Sequence, residues 1–225
     1  MKNELLISAA LCVAATTASA QLVITEVMSN SSHPGGPANG DWWELTNTGG
    51  SSVDLMNYYW DDSGPNGDDG ALFPSITIAA GESIVIVDEN SDNIAGFVAA
   101  WGGGFTAYSK DDFSGNNTFS GLSAGGDQIQ LWDADPNVGS ANLVAEVVFG
   151  ESTDGHSFVW GTNGDYLGIS QNNVGGAFVA PGNGAGGAGT DVGSPGFAAV
   201  PEPEFFGALA GLMVFGFAAL RRRRK

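Results

Sequence analysis

Asp41-Trp42-Trp43-Glu44-Leu45-Thr46-Asn47, closed by the turn Asn47-Thr48-Gly49-Gly50, carries the fold reading of this chain. Along an extended backbone successive side chains point to opposite faces. Trp43 and Leu45 therefore share one face, and Trp42 and Glu44 share the other. Before it, Leu22-Val23-Ile24-Thr25-Glu26-Val27 alternates loosely, and Ser29 to Gly40, with Pro34 and Pro37, forms the connecting loop. After it, Val53 and Leu55 begin another strand, and Ala79-Ala80-Gly81-Glu82 turns into Ser83-Ile84-Val85-Ile86-Val87. Such a short β-branched run suits a buried strand on a pleated surface. Further strands are expected at Gln128 to Trp132 and Leu143 to Phe149, with Asp133-Ala134-Asp135-Pro136-Asn137 opening the loop between them. Thirty-five glycines and nine prolines supply the turns, and little of the chain reads as helix. The expectation is an all-β antiparallel β-sandwich of about 180 residues, large enough to bury a core without staples. Glycine-rich 175–197 is expected to form a mobile end of that domain.

The formal net charge is −18, and the charge is unevenly placed. Lys2, Arg221 to Arg224 and Lys225 occupy the two ends, so Lys110 is the only base between them, against 22 acids. That surface repels phosphate backbones and excludes nucleic acid as a partner, while it attracts divalent cations and basic groups. The single cysteine, Cys12, lies near the start, so no disulfide or thiol chemistry is expected from the folded region.

Both ends read as addresses. Residues 1–20 carry Lys2, an apolar stretch from Leu5 to Ala15, and Ala18-Ser19-Ala20, a small-x-small cleavage pattern that makes Gln21 the expected first mature residue. In segment 198–225, Pro201-Glu202-Pro203 precedes an apolar run, 205–220, and the basic cluster Arg221, Arg222, Arg223, Arg224 and Lys225. A basic cluster after an apolar helix halts it in the membrane, with the cluster in the cytoplasm. At a rise of about 1.5 Å per residue the run reaches about 24 Å, short for a permanent span. The order of these three elements closely resembles the PEP-CTERM sorting signal of Gram-negative bacteria. The resemblance implies a transient inner-membrane stage, processing by an exosortase-type enzyme, and delivery to the cell surface, outer membrane or exopolysaccharide matrix.

A second resemblance covers residues 21–197. Val23-Ile24-Thr25-Glu26-Val27, the Asp41 to Asn47 stretch and Val53-Asp54-Leu55 follow one another as in the opening of a lamin-tail domain. Phe73-Pro74, the Ile78 to Glu82 turn, Phe119-Ser120-Gly121-Leu122, Asp127 to Asp133 and the closing Gly193-Ser194-Pro195-Gly196 continue the order. The stretch from Gly150 to Gly193 departs from a compact closing strand. The resemblance implies an immunoglobulin-like sandwich acting as an adhesion or interaction module.

Signatures of catalysis are sparse. His33 and His156 form no His-x-x-x-His pair, no Gly-x-Ser-x-Gly elbow occurs, and each histidine reads as a solvated loop residue. A Ser-His-Asp triad assembles only in space, so the sequence leaves it open. Glu26 and Glu44 fall on neighbouring strands where they could meet as a carboxylate pair. No pocket-forming pattern accompanies them, so a secreted hydrolase is the weakest reading and no catalytic residue is assigned. Two loops concentrate the oxygen atoms that calcium takes: Asp61, Asp62, Asp68 and Asp69 in one, Asp133, Asp135 and Asn137 in the other. Val138 and Val144 stand where an EF-hand needs Gly and Glu, and polar turns select the same residues, so both readings stand. Trp42, Tyr58, Tyr59 and Trp60 are either core residues or stacking surfaces for sugars. The expected function is that of an exported structural or interaction protein without a cofactor; a calcium- or carbohydrate-binding surface module is the alternative.

Overall fold

Trp42 to Asn47 forms an inner strand whose two faces are both covered. The computed structural model describes residues 21–33, 39–62, 70–115, 119 and 121–199. The expected signal segment 1–20, the sorting motif Pro201-Glu202-Pro203, the run 205–220, Arg221 to Arg224, and Asp68 and Asp69 lie outside the described residues. No described helix is long and apolar enough to cross a membrane.

In chain order the strands are β1 Leu22–Met28, β2 Trp42–Asn47, β3 Val53–Asp54, β4 Tyr59–Asp61, β5 Ala71–Leu72, β6 Thr77–Ile78 and β7 Ser83–Val87. After the helix α1, Ser91–Ala100, come β8 Thr106–Ser109, β9 Ser114–Gly115, β10 Asp127–Trp132, β11 Leu143–Phe149, β12 Phe158–Trp160, β13 Tyr166–Ile169, β14 Phe178–Val179 and β15 Val192–Gly193. A six-stranded sheet has the order β13-β12-β1-β2-β7-β8, and a five-stranded sheet the order β11-β10-β4-β5-β9. The pairings between these strands are antiparallel except β7 with β8, which α1 connects as a crossover. The fold is the all-β, immunoglobulin-like sandwich expected from the strand pattern, with one helix added.

The main core lies between the sheets. Ile24, Val27, Trp43, Leu45, Ile84 and Ile86 meet Trp60, Ile129, Leu131, Val147 and Phe149 there. Aromatic rings meet tilted or edge to face through it, with Trp43 and Trp60 centred 5.3 Å apart and Trp60 and Phe119 4.9 Å apart. Trp43 and Leu45 thus share a face, as alternation requires.

A second apolar cluster covers the other face of the six-stranded sheet. Met28, Trp42, Val85 and Val87 pack there against Phe97 and Trp101. Ile94, Phe97, Val98 and Trp101 recur at the three- and four-residue spacing of one helical stripe, which explains why this segment is helical. Gly102, Gly103 and Gly104 follow with φ of 88°, 77° and 90°, a left-handed exit that β-carbon-bearing residues resist. β1, β2 and β7 are consequently buried on both faces. This three-layer arrangement is why β1 alternates only loosely in sequence.

Residues 150–199 complete the domain. β12 and β13 extend the six-stranded sheet beyond β1. The glycine-rich stretch folds back over the sheet beside α1, pairing β14 with β15 and burying Ala177, Ala180, Asp191 and Ser194. The expectation of a mobile end is corrected: small residues here permit close packing. A Cβ on Gly189 would strike the backbone of Ala180, and one on Gly193 would lie 2.8 Å from Glu26 Oε1.

Candidate functional site: a buried carboxylate pair under the closing segment

Between Ile24 and Glu26 the β1–β2 register shifts by a bulge. Ile24 and Val27 both remain in the main core, so the bulge turns Thr25 and Glu26 together toward the opposite face. Glu26 then stands directly across from Glu44 of β2. Both are sealed in, with 1% and 0% of their surface exposed.

The lid over them is the closing phrase Gly193-Ser194-Pro195-Gly196. Ser194 N–H donates to Glu26 Oε1 at 2.9 Å and Oε2 at 3.1 Å, and Ser194 Oγ donates to Oε2 at 2.6 Å. Ser157 Oγ donates to Glu26 Oε1 at 2.5 Å. Glu44 Oε2 accepts from the Gly196 N–H at 2.6 Å, and its Oε1 accepts from Thr25 Oγ1 at 2.5 Å. From Thr25 a chain of hydroxyls continues to Thr46, 2.8 Å away, and on to Ser83 at 2.7 Å. It reaches a cleft of about 390 Å³ lined by Thr46, Ser83, Thr162 and Phe197.

No cation among the described residues balances the pair. Lys110, the only Lys or Arg among the described residues, is engaged with Asp88 at 2.8 Å. Burial raises Glu26 from its ordinary 4.5 to about 7, against the lowering pull of the Ser157 and Ser194 hydrogen bonds. Burial, then the neighbouring Glu26 charge, raises Glu44 to about 8. The pair therefore keeps at least one proton at neutral pH, since two adjacent buried carboxylates without a cation do not both ionise. Glu26 accepts from three groups and suits the ionised role; Glu44, with the higher pKa, suits the protonated one.

A second clasp holds the same segment. Asp191, fully buried, accepts from Ser31 Oγ at 2.5 Å, Ser32 N–H at 2.7 Å and Ser32 Oγ at 2.7 Å. His33 Nδ1 lies 3.2 Å from Asp191 Oδ2, and its ring meets Trp101 edge to face. The expectation of a solvated His33 is therefore corrected, because the returning segment buries it to 3% exposure. His156 is half-buried, with Nδ1 2.8 Å from the Ser170 carbonyl oxygen. Although Ser, His and Asp meet at Asp191, the Ser31 and Ser32 hydroxyls bond the carboxylate and not the imidazole, which is not the order a nucleophilic triad needs.

The calcium candidates are distributed differently. Asp61 is buried in β4 opposite Gln130, and Asp62 follows it half-buried. Asp133 accepts from the backbone and side-chain nitrogens of Asn142 at 2.7 and 2.8 Å, and these bonds hold its pKa below the ordinary value. Asp135 accepts from the Asn137 N–H at 2.9 Å, capping a short 3-10 turn. Asp133 and Asp135 thus serve the turn geometry, and no group of three or more His, Cys, Asp or Glu that could hold a metal occurs among the described residues. Trp42 and Trp60 are core residues, and Tyr58 packs against the main core; only Tyr59 of that set stands half-exposed on an outer face.

The sequence brought Glu26 and Glu44 to neighbouring strands and marked Gly193-Ser194-Pro195-Gly196 as the closing phrase, but nothing in it joined the two. Ser157, Ser194 and Gly196 reach them across separations of 131 to 168 residues. Comparison with protein families finds that the Lamin Tail Domain matches residues 15–151. No curated protein matches the chain. The carboxylate pair lies inside the matched stretch, whereas Ser157, Ser194 and Gly196 lie beyond it.

Proposed function

The chain belongs to the lamin tail domain family, and from that premise we propose that it is an exported, non-catalytic interaction or structural module of the cell surface or exopolysaccharide matrix. The observation that supports this most is the use made of its chemically capable groups. Glu26 and Glu44 have 1% and 0% exposure and direct their oxygens to the closing segment and its neighbours, so no substrate reaches them. A carboxylate pair built for hydrolysis needs an open space between its members. This pair fastens the end of the domain to its centre.

The address readings belong to the same proposal. Removal of residues 1–20 would leave Gln21 at the entrance to β1. Pro201-Glu202-Pro203 would present the exosortase-type processing site just beyond Ala199, which bridges to Gly161 at the last described part of the fold. The folded domain would then be delivered with its acidic surface outward. Mass spectrometry of the protein from inner-membrane, periplasmic and extracellular fractions tests this. The expected product begins at Gln21, ends near Pro203, and is found at the surface or outside. A product retaining Arg221 to Lys225 in the inner membrane would refute the sorting role.

A further inference from the structure

Glu44 is sealed from solvent, yet a row of hydroxyls links it to the surface. The row follows from strand geometry. Glu44 and Thr46 lie two residues apart on β2 and share a face. Ser83 of β7 stands opposite Thr46 in register, and the β1 bulge turns Thr25 toward both Glu44 and Thr46. The three steps, Glu44 Oε1 to Thr25 Oγ1, Thr25 to Thr46 and Thr46 to Ser83, measure 2.5, 2.8 and 2.7 Å. Each lies in the range of an O–H···O hydrogen bond, so the row is unbroken. Thr25 is 1% exposed, whereas Thr46 and Ser83 border the cleft beside Phe197, with Ser83 at 9% exposure.

The hydrogen bonds of Glu44 fit its proton to this row. Oε2 accepts from the Gly196 N–H, a donor that cannot turn round, so a proton on Glu44 belongs on Oε1, the oxygen facing Thr25. Among the described residues the bonds of Glu26 lead to no such outlet. Both its oxygens accept from Ser194, and its other donor, Ser157 Oγ, lies 3.5 Å from the Val192 carbonyl oxygen, which carries no proton to pass on. Around Glu44, β1 brings Glu26, and β7 brings Ser83 with Glu82 turned to the Ala79 N–H at 2.7 Å. The closing segment brings the Gly196 N–H, its Asp191 being engaged by Ser31 and Ser32, and α1 packs on this face with apolar side chains.

A hydroxyl both donates and accepts, and in the Thr25–Thr46 and Thr46–Ser83 bonds either atom can be the donor. The row therefore has two complete arrangements. With Glu44 ionised, Ser83 donates to Thr46, Thr46 to Thr25, and Thr25 to Oε1. With Glu44 protonated, Oε1 donates to Thr25, Thr25 to Thr46, Thr46 to Ser83, and Ser83 outward into the cleft. A proton arriving from water at Ser83 Oγ converts the first into the second. Each hydroxyl oxygen receives one hydrogen and passes on the one it held, so every hydroxyl stays neutral and Glu44 gains the proton.

We propose that Ser83, Thr46 and Thr25 form a proton relay through which the buried Glu26–Glu44 pair exchanges protons with solvent while the closing segment stays in place. The latch then follows external pH without the domain opening. The test dilutes the purified protein rapidly into D2O at pH 7 and follows exchange of the Glu44 proton by infrared spectroscopy, in the carboxyl C=O band that Glu44→Gln removes. Thr46→Val and Thr25→Val keep the side-chain shape and interrupt the row. Exchange is expected to slow at least tenfold in each, and no further in the two combined, because the residues are links in series. Thr46→Ser, which keeps the hydroxyl, should return the rate to within threefold of the natural protein. A row that only holds the strands together predicts the opposite sign, since its loss loosens the site and speeds exchange. Exchange at the natural rate or faster in either valine variant, or a slowing in Thr46→Val that Thr46→Ser also shows, would overturn the relay.

Discussion

Glu44→Gln is expected to be more stable than the natural protein at pH 9, by about 2–3 kcal/mol, and to lose much of its dependence on pH. The sign follows from which state holds the protons. Both carboxyls ordinarily titrate at 4.5, and in the folded protein they are raised to about 7 and about 8. Below about pH 4.5 the folded and unfolded chains are both protonated, and the pair's stabilising contribution is fully present. As pH rises further, the unfolded chain ionises while the folded pair retains its protons. Stability therefore falls from about pH 4.5 until both folded carboxyls have titrated, near pH 8. Glutamine resembles protonated Glu44 in shape and keeps an oxygen for Gly196. Its amide can donate to Thr25, whose hydroxyl can turn toward Thr46 because either atom of that bond can be the donor. Urea unfolding at pH 5, 7 and 9 reads the effect. The part of the slope owed to Asp41, raised to about 6 mainly by burial, should remain. An unchanged slope between pH 7 and 9 in the variant would show that Glu44 is not the proton-holding group. Glu26→Gln should instead destabilise at every pH, since an amide nitrogen cannot accept from Ser194 and Ser157.

Gly196→Ala is expected to cost about 3 kcal/mol and to free the closing segment. Gly196 has φ of 85°, where a side chain is strained, and a Cβ there would collide with Phe105. Moving it away removes the 2.6 Å hydrogen bond to Glu44 and uncovers a carboxylate pair that the segment keeps dry. Limited proteolysis should then cut between about residues 182 and 197 well before the sandwich is attacked, with a lowered melting temperature. Ser194→Ala, which removes one of Glu26's donors but leaves the backbone in place, should cost about 1–2 kcal/mol. If Gly196→Ala melts and resists protease like the natural chain, the closing segment is not what secures the pair.

These two substitutions also mark where sequence reasoning stops. Local alternation was enough to place Trp43 and Leu45 on the core face and Trp42 and Glu44 on the other, because side-chain direction in a strand depends only on neighbouring dihedrals. The ordered phrases from Val23 to Asp133 led to the same immunoglobulin-like sandwich and to the lamin tail family. The acidic balance, with Lys110 as the sole internal base, was equally legible. The α1 stripe was present at Ile94, Phe97, Val98 and Trp101, but the glycines around it and the small residues within it masked its period. What the opposite faces would meet was not legible at all. Trp42 passed for a possible sugar platform until α1 covered it, and His33 for a loop residue until Asp191 reached it. Glu26 and Glu44 were expected on neighbouring strands, where they could meet, but nothing in the sequence marked them as buried. Only the return of Gly193 to Gly196 across 152 to 168 residues buries them, and burial, not sequence neighbours, is what raises their pKa values and makes them a lock. Strand pattern is a local property of the chain; the dielectric around a carboxylate belongs to the assembled tertiary structure.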